Sequence, residues 1–359
     1  MESLNYIDEC TKYLEQVNVS YTTYLDIDSE PTDVFVLEAL NLLKQNNCDL
    51  MIAIGGGSCI DTAKAVALLA TNGGDISEYI GNQRKAETSS IPLIAVPTTA
   101  GTGSEATDVT VITNTKDDIK MMIKQPTLLP KVALVDPDLT VTSPPNVTAA
   151  TGIDALTHAI EAYISRKSHP FTDSLALSAI KQMMENIQVA YQDGSNIEAR
   201  EKMSLASMQA GVAFSNASVC LVHGMSRPIG ALFHVPHGIS NAMLLPGVLE
   251  FTKSECLDRL AEIGRFINPS LSAVSDEYVA EQFVGKVKKL CYNLNIPNLK
   301  DWGIDRAKFL AVCRKMAKDA IASGSPANNP KIPSEEEIIE LYHYCYEYNF
   351  KEIQCKERN

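Results

Sequence analysis

Asp154 and His158 stand four residues apart in TGIDALTHAIEAY, Thr151 to Tyr163, a stretch otherwise filled with small and apolar side chains. Residues four apart share one face of a helix, so the carboxylate and the imidazole project side by side, with Glu161 nearby along the same helix. Further on, LVHGMSRPIGALFHVPHG carries His223, His234 and His237. Burying an unpaired carboxylate is costly, whereas a divalent cation satisfies it together with neutral imidazoles. One carboxylate and three imidazoles form a coherent donor set with no thiolate nearby, which suits Fe(II) or Zn. A lone Asp-x-x-x-His is better explained by a hydrogen bond on a helix surface. The two segments, however, hold four of the chain's six histidines, which shifts the reading toward metal. His169 and His343, among polar or aromatic neighbours, read as ordinary surface or packing residues.

Two other stretches have phosphate chemistry in their backbone. MIAIGGGSCIDTAKAVALLA runs an apolar strand into Gly55, Gly56, Gly57 and Ser58 and then opens an amphipathic helix. Glycines allow a tight turn and let a phosphate approach the N–H groups, and the helix N-terminus contributes positive partial charge. A plain strand-to-helix turn accounts for the three glycines equally well. VPTTAGTGSEAT again follows an apolar run and carries Thr98, Thr99, Gly101, Thr102 and Gly103. Two small-residue loops at the carboxyl ends of strands predict a dinucleotide crevice.

The elements that must hold these groups change character along the chain. Up to about residue 143, helical patterns (Ile7 to Gln16, Thr32 to Gln45, Ile60 to Ala70) alternate with apolar runs: VSYTTYLDI, DLMIAI, PLIAVPT, VTVITN and VALVD. That alternation predicts a mainly parallel sheet covered on both faces. After the proline-rich TSPPN, helical periodicity dominates almost to the end. The fold class is therefore an α/β domain over 1–143 followed by an all-helical domain over 144–359. At 359 residues with 45% hydrophobic content the chain supports two such units. A formal charge of −13 argues against nucleic-acid or anionic-membrane partners, which require clustered positive charge. Nine widely spaced cysteines without a C-x-x-C pair read as reduced thiols in a cytoplasmic protein. No apolar run of about 18 residues appears, and the N-terminus lacks a signal-like pattern.

Taken together, IGGGSCIDTAK, PTTAGTGSE, ALVDPDLTVTSPPNVTAATGIDALTHAIEAY and VHGMSRPIGALFHVPHG resemble the iron-containing (group III) alcohol dehydrogenase family, from about Asn5 to Tyr348. The resemblance implies a metal-dependent oxidoreductase that moves hydride between an alcohol, diol or hydroxy acid and a nicotinamide dinucleotide. Carried over by position, Asp154, His158, His223 and His237 are the implied ligands of Fe(II) or Zn. Gly56, Gly57 and Ser58 line the pyrophosphate, Thr98, Thr99 and Thr102 the cofactor channel, and Lys120 lies near the ribose. Glu161 either orients a ligand or is a plain helix-face carboxylate.

The chain also departs from the family pattern. Relatives usually begin with a further segment of roughly one strand-helix unit, so the resemblance implies an altered sheet edge, fewer ribose contacts and a weakened homo-oligomer. Arg227 stands where a histidine often faces the substrate. It cannot act as a general base, but it suits a substrate carboxylate, a cofactor phosphate or a salt bridge. Glu30, in SEPT, disfavours a 2′-phosphate and points to NAD rather than NADP. Two alternatives remain beside alcohol dehydrogenation: a metal- and nucleotide-binding protein without turnover, and hydride exchange between a hydroxy acid and an oxo acid.

Overall fold

The computed structural model describes residues 6–117 and 119–351. The charged tail of the sequence lies outside the described residues, except Lys351. The α/β part opens with α1 (Tyr6–Gln16) and α2 (Asp33–Gln45), the latter started by Thr32, whose side chain accepts from the Phe35 N–H. β1 (Met51–Gly55) leads through Gly56 into α3 (Gly57–Asn72), and β2 (Leu93–Pro97) follows. β1 pairs in parallel with β2, and β2 with the short β5 (Val132–Ala133), giving a three-stranded sheet in the order β1-β2-β5.

Two expectations need correction. VSYTTYLDI forms no strand, because no neighbouring backbone offers it a ladder. It runs exposed and is tied down through side chains, with the Tyr24 hydroxyl donating to Glu38 of α2 at 2.7 Å and that of Tyr21 to Glu15 of α1 at 2.8 Å. VTVITN does form a strand, β3 (Val109–Asn114), but not in the parallel sheet. It turns back on β4 (Ile119–Lys124) as an antiparallel hairpin, pairing Val109 with Lys124 and Asn114 with Ile119. A turn of a few residues permits only antiparallel pairing, since parallel strands need a long crossover.

Beyond Pro144 the described chain is helical: α4 (Pro145–Ile164), α5 (Pro170–Gln192), α6 (Ile197–Ala217), α7 (Leu221–Phe233), α8 (His237–Thr252), α9 (Leu257–Ile267), α10 (Asp276–Asn293), α11 (Arg306–Ala322) and α12 (Glu335–Tyr346), with short 3-10 turns between some of them. Proline at the first turn of α4 and α5 costs no hydrogen bond, because those N–H groups have no partner within the helix. α4 is unusual in being buried without a break from Gly152 to Ile164. A helix enclosed on every side has no solvated face. Whatever charge it carries must be satisfied by protein or by something bound. No single helix among the described residues is long and apolar enough to cross a membrane, and the eight described cysteines are unpaired.

The sheet and the helices meet at the loop after β2. Gly103 takes a left-handed φ of 61°, and a Cβ there would lie 2.6 Å from the Cα of Gly211 on α6. A Cβ on Gly101 would lie 2.6 Å from Cβ of Thr151 on α4. From the other side, Asp61 of α3 accepts from the Ser104 hydroxyl at 2.5 Å and from the Val111 N–H at 2.8 Å. Lys64, also on α3 and fully buried, donates to the Thr107 hydroxyl at 2.9 Å and to the Val109 carbonyl at 2.8 Å. Burial pushes the Lys64 amine down to about 8 despite the nearby acids. The loop and the hairpin are thus pinned to α3 by polar contacts and to α4 and α6 by close backbone approach.

That approach is sensitive to volume. A Cβ on Gly211 would sit 2.7 Å from the Gly103 carbonyl oxygen, which is backbone and cannot rotate away. Gly211→Val is expected to destabilise the protein by about 1–3 kcal/mol. A thermal melt unchanged from the unsubstituted protein would contradict this packing.

Candidate metal and nucleotide site

α4 brings Asp154, His158 and Glu161 into the helical core, where Asp154 and Glu161 are about 1% exposed and His158 about 5%. α7 contributes His223 from its first turn, and α8 opens with His237 at its first position. α8 can lie this close to α4 because Gly238 has no side chain; a Cβ there would be 2.9 Å from the Ala150 carbonyl. One donor atom each from Asp154, His158, His223 and His237 falls within 4.8 Å of the others. Nε2 of His223 lies 3.6 Å from Oδ1 of Asp154, and Nε2 of His237 lies 3.9 Å from the same oxygen. His234 is not in this group. It is exposed and closes α7 in a left-handed conformation, φ 53°. His169 and His343 are likewise exposed and not part of the group.

Glu161 is not a helix-face carboxylate. Its oxygens accept from the backbone N–H of Cys220 at 2.9 Å and of Val222 at 2.6 Å, where α7 begins and its amides have no helical partners. The same carboxylate lies 2.6 Å from Nδ1 of His223. With Nδ1–H donating to Glu161, the Nε2 lone pair of His223 is directed at the cluster. Asn241, one turn after His237 on α8, was not singled out by the sequence reading, although its spacing repeats that of Asp154 and His158. Its Nδ2 donates to Oδ1 of Asp154 at 2.6 Å and lies 3.1 and 3.2 Å from Nε2 of His223 and His237.

The electrostatics follow from burial against pairing. Burial drives the His158 imidazole down to about 3, outweighing the attraction of Asp154, and does the same to His237. Burial would also lower His223, but Glu161 and Asp154 raise it above the ordinary histidine value. Burial alone would raise Asp154, yet the three imidazoles hold it below the usual carboxylate range. Neutral His158 and His237 beside an ionised Asp154 are in the protonation state a cation requires, and His223 would give up its second ring proton on binding one. Two buried atoms of this cluster have no hydrogen-bond partner, Nδ1 of His158 and Oδ1 of Asn241. The donor set and its orphaned polar atoms fit a divalent cation. His237 leaves one side open, its side chain being 33% exposed against 3% for His223. Phe214 of α6 stacks on His158 with ring centroids 4.3 Å apart.

The two small-residue loops also come together. A Cβ on Gly57 would lie 2.6 Å from Cγ2 of Thr102, and one on Gly56 would lie 3.4 Å from Oγ1 of Thr99. The Thr98 N–H donates to the Gly55 carbonyl at 3.0 Å, while the Thr98 hydroxyl is buried without a partner. Ser58 sits in the first turn of α3, whose N-terminus has no side-chain cap. Uncapped amides next to glycines leave room and donors for an anion. Thr151, against which Gly101 packs, precedes Asp154 by three residues on α4, so this crevice adjoins the buried cluster. Lys120 lies on β4, where it forms an ion pair with Glu30 at 3.0 Å and reaches toward Gly230 of α7.

Residues 1–137 match the family described as "Iron-containing alcohol dehydrogenase", and residues 148–346 match "Fe-containing alcohol dehydrogenase family, C-terminal". The chain is 36% identical over 341 residues to a 1,3-propanediol dehydrogenase of Citrobacter freundii, covering 95% of this chain and 87% of that protein. Among solved structures it is similar to a 1,3-propanediol oxidoreductase, with a TM-score of 0.90 at 35% identity over 95% of this chain and 88% of that one. It is also similar to a sulfoacetaldehyde reductase from Bifidobacterium kashiwanohense in complex with NAD+, with a TM-score of 0.84 at 29% identity over 96% and 90% of the two chains.

Removing the Glu161 carboxylate strands two backbone donors and one ring nitrogen in the core. Glu161→Leu is therefore expected to cost on the order of 3–5 kcal/mol in urea unfolding, and Glu161→Gln clearly less, since the amide oxygen still accepts. Equal losses in the two variants would contradict the assigned role of the carboxylate.

Proposed function

We propose that this chain, which belongs to the iron-containing alcohol dehydrogenase family, interconverts an alcohol, diol or hydroxy acid with the matching aldehyde or ketone, using Fe(II) or Zn and NAD. Membership makes it an alcohol dehydrogenase, an oxidoreductase with small-molecule substrates. The finer reading is carried by one observation: Asp154, His158, His223 and His237 converge in a largely apolar core, with one donor atom from each within 4.8 Å of the others. In this reading those four side chains hold the cation, Glu161 sets the ring of His223, and Asn241 steadies Asp154. The cation supplies Lewis-acid stabilisation of charge on the substrate oxygen, on the order of several kcal/mol.

The rest is positioning by the chain. Gly56, Gly57 and Ser58 offer the pyrophosphate backbone donors and space, and Thr98, Thr99 and Thr102 line the route to the buried cluster. Contact between Gly101 and Thr151 ties that route to α4, so the nicotinamide and the reacting carbon are held by one rigid unit. The open side at His237 admits substrate, and Phe214 with its apolar neighbours keeps water from the other side. Arg227 keeps its proton, so the substrate proton leaves by another route. Lys120 reaches the ribose region with its charge already engaged by Glu30, which favours NAD over a cofactor carrying a 2′-phosphate. The NAD+ complex of the sulfoacetaldehyde reductase supports the same preference.

Chelation is expected to abolish NAD reduction with alcohols, and Fe(II) or Zn to restore it. Asp154→Asn and His223→Ala should each lower metal content below stoichiometry by elemental analysis. Stoichiometric metal with no change in nicotinamide absorbance on any alcohol, diol or hydroxy acid would leave a binding protein instead. A kcat/KM for NADP equal to that for NAD would remove the role given to Glu30.

A further inference from the structure

Arg227 lies one helical turn beyond His223 on α7, at the border between the helices and the hairpin. Its guanidinium reaches the Ser325 hydroxyl at 3.2 Å and the thioether sulfur of Met122, on β4, at 3.3 Å. Neither partner carries charge, and no carboxylate pairs with Arg227 among the described residues. The salt bridge entertained from the sequence is therefore absent. Arg200, equally without a carboxylate, shows what a satisfied guanidinium looks like here: it donates to the Gly194 carbonyl, the Thr148 hydroxyl and the Ser143 carbonyl, at 2.9, 2.9 and 3.2 Å. Arg227 has five N–H donors and only a hydroxyl and a weak sulfur acceptor.

A partly buried cation left in that state costs free energy that a bound anion would recover. Burial already lowers its affinity for a proton, with the distant Glu161 as the opposing influence. The position narrows the anion's source. Arg227 stands one turn beyond His223 on α7, and Lys120, two residues before Met122 on β4, reaches Gly230 of the same helix, so these two cations border the cluster from the hairpin side. Lys120 is neutralised by Glu30; Arg227 is not. A planar fork of donors so placed matches the two oxygens of a carboxylate or the face of a sulfonate.

We propose that Arg227 is a specificity-determining residue that binds a carboxylate or sulfonate on the substrate, so that the preferred substrates are hydroxy acids or hydroxy sulfonates and their aldehydes rather than unsubstituted alkanols. This rests on the alcohol dehydrogenase reading of the same site. 4-Hydroxybutyrate and 1-butanol share a reacting end and differ at the far one. In the metal-loaded enzyme the ratio of their kcat/KM values is expected to favour the acid. Arg227→Met, which keeps most of the apolar stem, should lower that ratio at least about tenfold, mainly through KM, and Arg227→Lys should recover part of it. A ratio unchanged in Arg227→Met overturns the proposal.

Calorimetry with 1-butanesulfonate on the metal- and NAD-loaded protein gives a readout that needs no turnover. The unsubstituted protein should bind it at least about tenfold more tightly than Arg227→Met. Equal binding overturns the proposal, as does a loss confined to NAD affinity, which would assign the guanidinium to the cofactor. If neither alcohol is turned over, the dehydrogenase reading fails, and the calorimetry still decides whether Arg227 holds an anion.

Discussion

Burying charge in a helix with no solvated face is the constraint around which this structure is organised. α4 is enclosed from Gly152 to Ile164, yet it carries Asp154, His158 and Glu161. Each is costly alone in an apolar core. Glu161 is satisfied by protein: two amides at the start of α7 and the ring of His223 absorb its charge. Asp154 is satisfied only in part, by the amide of Asn241, and two of its remaining neighbours, His158 and His237, are imidazoles that burial keeps neutral. A divalent cation is the simplest counter-charge for that arrangement.

The division of labour between the two carboxylates explains the order of the helices around them. α7 must begin at Glu161, because its first amides need an acceptor, and beginning there places His223 over Asp154. α8 must cross α4 closely enough for His237 to reach the same point, which Gly238 permits. His158 is then held between two rings, Phe214 and His223, with centroids 4.3 and 4.4 Å away. Packing of this kind restricts the rotamers of three imidazoles before anything binds, so little ordering remains to be done on binding.

The pair of small-residue loops is built on a different principle, the absence of side chains. Gly56, Gly57, Gly101 and Gly103 sit where Thr99, Thr102, Thr151 and Gly211 come within van der Waals reach. These contacts bring the start of α3 and the loop after β2 together and set both against α4. The half-buried Asp61 and the buried Lys64 then fix the hairpin to α3. Arg227 and Met122 face each other across the seam between hairpin and helices.

Much of this was legible in the residues themselves. Four-residue spacing placed Asp154 beside His158, glycine runs marked the two loops that come together, and alternating patterns up to Ser143 gave way to helical periodicity, because helix and strand periods leave their mark on any segment with a buried face. Tertiary structure alone decided three things. VSYTTYLDI has the composition of a strand but lacks a neighbour, and β3 pairs with β4 rather than entering the parallel sheet, since pairing depends on what lies alongside and not on propensity. Glu161 and Asn241 acquired roles because partners distant in sequence, at Cys220, Val222, His223 and Asp154, were carried to them by packing. Arg227 was ambiguous as a letter in the chain. Whether a guanidinium has a counter-charge depends on which side chains surround it in space, and here the surroundings are a hydroxyl and a thioether.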